Sequence, residues 1–258
     1  MSTITTLRNN IPTYFGNISR WAVGLVLFWI LAMISLPIFK WAVGEGAIVW
    51  GVNLTTVLQA SAVVAVLAHS WGVSRTGATA GAVIGLTWGV EAIGTATGFP
   101  FGHYDYTALL QPQVANVPVL IAIAWLMMLP SSWAMGYLIT GKTRGIAFIV
   151  VSAAAMTSWD FFLDPQMVGW DLWRWEADGG YFGVPWVNFL GWFATAALVT
   201  KIVRPKEPPV VPLFTIYVIV WALQTIGQAV FWGQVGPAAV GFVTMGLFIV
   251  LGGRNLRN

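Results

Sequence analysis

Apolar residues run along this chain in long unbroken stretches, separated by short clusters of Gly, Pro and charged residues. About 20 apolar residues suffice for an α-helix to cross the hydrocarbon of a bilayer. That measure predicts eight spans, at residues 21–39, 47–68, 77–97, 117–139, 145–163, 184–203, 210–232 and 235–252. Seven is the alternative count, because the breaks around Pro205 to Pro209 and at Gly233-Gln234 are short. The expected fold is all-α: a polytopic transmembrane helical bundle forming a single membrane domain over residues 1–258. Residues 1–20 read as a polar tail or a short surface helix. The first run is too long for a signal peptide, and no small-residue cleavage site follows it.

Composition agrees with the pattern. Hydrophobic residues make up 58% of the chain and charged ones 8%, with mean hydropathy +0.77. A soluble domain carries about 25% charged residues. The chain has no Cys, which excludes disulfides, thiolate catalysis and Cys-ligated metals. His69 and His103 are too few for a His-rich metal centre. With no Walker loop or dinucleotide fingerprint, no cofactor is expected. In the eight-span arrangement the Lys and Arg residues fall on one side, with only Lys40 and Arg174 on the other. The positive-inside rule then puts both termini in the cytoplasm and the chain in the cell membrane. Basic residues scattered among loops offer no face for nucleic acid.

Against this background two acids stand out. Glu91 lies in the third apolar run and Asp160 near the end of the fifth. A carboxylate at a helix centre costs roughly 2.5–3.5 kcal/mol on insertion scales, so one kept there points to function. Desolvation disfavours the charged form, and a neutral carboxylic acid in an apolar pocket can give a proton to an apolar substrate. Asp164 follows Asp160 by four residues, one helical turn away on the same face. Such a pair can hold one proton to donate and one partner to activate water. Pro165 disfavours helix at Asp164, so the helix is predicted to end there. The outer connections are then 98–116 and 164–183, both rich in aromatics, Gly and Pro. Asn188, Gln224 and Gln228 fall at the same level of the bundle.

Three motifs surround the acids. After Glu91 comes GFPFGHYDYT at 98–107, where Tyr104 and Tyr106 alternate with Asp105 and would point away from it in an extended strand. The second is SWDFFLDPQM at 158–167. In the third, Trp170, Trp173 and Trp175 precede YFGVPWVNFLGW at 181–192. Aromatic faces stabilise a desolvated cation by up to ~2 kcal/mol, although interfacial belts use the same residues.

Together these motifs, across residues 91–192, closely resemble the membrane-embedded carotenoid hydratases within the broader carotenoid biosynthesis proteins. The resemblance implies a cofactor-independent hydro-lyase. Its substrate would be an acyclic carotenoid of the lycopene, gamma-carotene or bisanhydrobacterioruberin type. Water, the co-substrate, would add to the terminal double bond to give a tertiary alcohol. Asp160 is then the expected proton donor, with Glu91 as its partner or the alternative donor. Asp164 and Asn188 would position or activate water. Phe101, Tyr104, Tyr106, Trp88, Trp159, Trp186 and Trp192 are the expected substrate-binding aromatics. The expected surroundings are the lipid bilayer and other carotenoid-pathway enzymes. The competing readings are a proton-coupled transporter, a carotenoid cyclase and a non-catalytic carotenoid-binding protein.

Overall fold

The computed structural model describes residues 19–177 and 179–256. The expected tail, with Arg8, and the last two residues, including Arg257, lie outside that range. Among the described residues, eight helices form the bundle: α1 (Arg20–Val43), α2 (Gly46–Trp71), α3 (Val73–Thr97), α4 (Val119–Thr140), α5 (Ile146–Gly169), α6 (Trp186–Val203), α7 (Val210–Ile226) and α8 (Val235–Asn255). Seven are long and apolar enough to cross a membrane. The eighth, α3, has 25 residues, about 37 Å at 1.5 Å per residue. It is less apolar because it carries Glu91, Arg75 and several threonines.

Glycine supplies most of the stops. Gly44, Gly72, Gly98 and Gly141 follow α1 to α4, and all four have positive φ, which costs glycine little. The central helix is α4, 89% buried over its most apolar window and packed against α2, α3, α5, α7 and α8. Peripheral α1 leans on α2 and barely touches α7.

Helix α5 departs from the sequence expectation. It does not stop at Asp164 but continues through Pro165 to Gly169. Proline removes the N–H that would bond the carbonyl four residues back, here that of Phe161. The Tyr181 hydroxyl donates to that carbonyl at 3.0 Å. Gln228 Nε2 bonds the next carbonyl, Phe162, at 2.6 Å, and Gln234 Nε2 bonds that of Pro165 at 2.9 Å. Neighbouring side chains thus re-satisfy the backbone, the condition under which proline is tolerated in membrane helices. The second outer connection therefore starts at Trp170 rather than at Asp164.

A five-residue π-helical turn, Gly227–Phe231, continues α7 and places Gln228 in the interior. The two long connections, before α4 and before α6, zip together. Strand β1 (Tyr104–Tyr106) pairs antiparallel with β4 (Trp173–Trp175), matching Tyr104 to Trp175 and Tyr106 to Trp173. Bonds from Thr107 N to Leu172 O and from Glu176 N to His103 O, both 3.0 Å, extend the ladder at either end. A short hairpin of β2 (Gln113–Val114) and β3 (Val117–Pro118) leads into α4.

Candidate functional site

The β1–β4 ribbon positions the first half of the site. Residues i and i+2 of a strand share a face, so Tyr104 and Tyr106 both turn inward. Their hydroxyls donate to Glu91 Oε2 at 2.6 and 2.9 Å. The other oxygen, Oε1, accepts from Trp125 Nε1 at 3.1 Å. Burial first, and the adjacent Glu91 carboxyl second, push both tyrosines above the ordinary phenol range. They stay protonated and keep donating. Glu91 is therefore ringed by three donors and set up to accept.

Two glycines allow the ribbon to seat this closely. A Cβ on Gly94 would lie 2.8 Å from Phe101 Cδ2, and one on Gly191 would lie 2.7 Å from both Phe101 Cδ1 and the Pro100 carbonyl oxygen. Phe101 is thereby clamped between α3 and α6.

The second half belongs to α5 and α6. Asp160, Asp164 and Asn188 are all buried, at 0%, 2% and 1% exposure. Because α5 stays helical past Asp164, the two carboxyls remain one turn apart on the same face. Asn188 Nδ2 bridges them, donating to Asp160 Oδ2 at 3.2 Å and to Asp164 Oδ2. Asp160 Oδ1 has no partner. An aromatic stack joins the halves: Trp125 lies on Trp192 at 4.1 Å and 13°, and Trp159 meets the Trp192 ring edge-on at 6.0 Å.

Both halves face one cavity of about 550 Å³. Its polar wall holds Glu91, Asp164, Asn188, Gln59, Gln166 and Gln224. Thr55 and Thr56 also line it, and the rest is mostly aliphatic or aromatic, with Phe101, Tyr104, Tyr106, Trp159 and Trp192 among the lining side chains. Toward α1 and α7 the lining residues Ile34, Ile38, Trp41, Ile226 and Phe231 are themselves exposed. The cavity therefore reaches the side of the bundle between these two helices. Trp41 touches Phe231 across the gap, with ring centroids 5.9 Å apart.

Three residues expected at the cavity are not on its wall. Asp160 stands behind Asp164, the two carboxyls sharing Asn188. Trp186 is 57% exposed and packs against Tyr181 and Phe189. Its position at the first residue of α6 leaves it at the bundle rim. Trp88 donates to the Val114 carbonyl at 3.3 Å, tying α3 to the hairpin. His103 packs against Gly98, and His69 is in the last turn of α2. Sequence reasoning also missed Trp125, which bonds Glu91, and Gln59 and Trp29, which line the cavity. An amide in an apolar run was a readable signal for Gln59, although Asn53 in the same run gave it too. With 16 Trp in the chain, nothing set Trp125 or Trp29 apart.

A bundle of membrane-length helices around a largely apolar cavity lined by buried acids defines a class: a multi-pass membrane protein. The chain belongs to the carotenoid biosynthesis protein family, whose model matches residues 51–248. No curated protein and no solved structure matches it. The matched segment contains both halves of the site and all helices except α1 and part of α2 and α8.

Proposed function

We propose that the protein is a carotenoid hydratase, adding water to the terminal trisubstituted double bond of an acyclic carotenoid. The observation that carries this reading is the pairing of Asp164, backed by Asp160, with an acceptor-type Glu91 on the polar wall of an otherwise apolar cavity. Family membership supports a role in carotenoid biosynthesis.

An alkene is a weak base, so its proton donor must be close, dry and acidic. Asp164 faces the cavity and takes the donor role, with Asp160 as the partner that shares its proton. The proton goes to the less substituted alkene carbon, and the π electrons form the new C–H bond. A tertiary cation is left on the neighbouring carbon. The Trp159 and Trp192 faces stabilise that charge without bonding to it. Water attacks the cation, and Glu91, held as an acceptor by three donors, takes the proton that the oxygen sheds. Water in the same cavity returns this proton to the aspartate pair. The net change is one water added per end, with no redox step.

The test is expression in a lycopene-producing host, followed by mass analysis of the pigments. The expected product gains one water per processed end. An isomer of unchanged mass would make the protein a cyclase instead. Unaltered pigment would favour binding or transport.

A further inference from the structure

A second cavity, of about 450 Å³, lies where the α4–α5 turn meets the end of α6. Helix α5 starts there and runs toward the acids; Asp164 is 18 residues beyond Ile146, about 27 Å along the helix. The two cavities therefore occupy opposite ends of the bundle.

The chemistry of this second cavity is that of an anion site. Arg144, Lys201 and Arg204 line it, and no acid does. Among the described residues the ion pairs are Lys40–Glu45 and Arg174–Asp171, so none of the three cations is neutralised by a carboxylate. Two hydroxyls, of Thr143 and Thr200, join them. Thr200 is 2% exposed and accepts from Trp133 Nε1 at 2.8 Å, while its own proton meets no acceptor among the described residues. The first turn of α5 also opens here, with Gly145 as N-cap and no side-chain cap. Unsatisfied N–H groups at a helix start favour an anion. Beside the cations, Ile146 and Ile202 are exposed, at 76% and 51%. A ligand seated here thus meets charge at its head and lipid-facing aliphatic side chains alongside.

We infer that this cavity binds the phosphate-bearing headgroup of an anionic membrane lipid. The three cations and the Thr200 hydroxyl contact the phosphate oxygens, and the acyl chains remain in the bilayer beside Ile146 and Ile202. Guanidinium groups suit phosphate because they offer paired donors in one plane. This inference does not depend on the reaction assigned to the other cavity.

The full chain, purified in a neutral detergent, is compared in phosphatidylglycerol and phosphatidylcholine by native mass spectrometry and thermal denaturation. Phosphatidylglycerol should be retained preferentially and should raise the melting temperature. Each cation near a membrane surface is worth roughly fivefold in affinity, so Arg144→Gln, Lys201→Gln and Arg204→Gln together should cost on the order of 100-fold. The control, Lys206→Gln with Arg254→Gln, alters basic residues outside the cavity and should keep the preference. Equal retention of both lipids by the native chain overturns the proposal, as does an equal loss in the triple variant and the control. Inorganic phosphate stabilising the protein as well as phosphatidylglycerol does would reassign the site to a free anion.

Discussion

Asp164 and Asp160 differ by one turn of helix and by what they face. Asp164 is on the cavity wall, whereas Asp160 is sealed behind it with Oδ1 unpartnered. Asp164→Asn should remove the proton delivered to substrate and lower product formation by about 10²- to 10⁴-fold, the usual range for general acid catalysis. Asp160→Asn should give a smaller loss, since a group behind the donor only sets its proton. Pigment analysis with matched protein levels measures both, and equal losses would contradict the division of roles. Tyr104→Phe removes the 2.6 Å bond to Glu91. Hydrogen bonds to a charged group contribute about 1.5–3 kcal/mol, so turnover should fall roughly tenfold or more. Glu91→Gln should lose more than Tyr104→Phe, because the amide cannot take a proton from water.

At the scale of the element, Pro165 and Tyr181 form one unit. The hydroxyl of Tyr181 stands in for the N–H that Pro165 lacks. Tyr181→Phe should therefore cost about 1 kcal/mol, in the range measured for membrane hydrogen bonds. Pro165→Ala restores the backbone donor, and in that background Tyr181→Phe should be nearly neutral. The coupling is read from a double-mutant cycle by denaturant or thermal unfolding. Additive losses would mean that the two residues stabilise α5 independently. The β1–β4 ribbon has a comparable dependence on Gly191, where any side chain meets the Pro100 backbone.

At the scale of the molecule, the proposed function predicts how a substrate arrives. A carotenoid already dissolved in lipid can reach the acids between α1 and α7, past Trp41 and Phe231. Because the native chain has no Cys, Trp41→Cys with Phe231→Cys can be joined by a short bifunctional thiol reagent. Closing the gap should block turnover of membrane-borne substrate, and reduction of a cleavable linker should restore it. Full activity in the linked protein would place access elsewhere. The orientation expected from the distribution of basic residues can be tested directly. A single Cys at position 105, on the paired outer loops, should be labelled by an impermeant reagent from the extracytoplasmic side.

The apolar runs pointed to eight helices, with seven as the alternative, because burying backbone in lipid requires every N–H and C=O to be paired within a segment. The spacing of Asp160 and Asp164 dictated a shared face, and the Tyr104-Asp105-Tyr106 alternation dictated two rings on one side, since both follow from local geometry. What α5 does at Pro165 was not legible in the local sequence. Its continuation depends on Tyr181, Gln228 and Gln234, which are 16, 63 and 69 residues further along the chain. Likewise, only packing chose Asp164 over Asp160 for the cavity wall and brought Trp125 to Glu91. A residue's type and spacing determine which contacts it can make; which of two equivalent acids faces the cavity is set by what the other helices leave open.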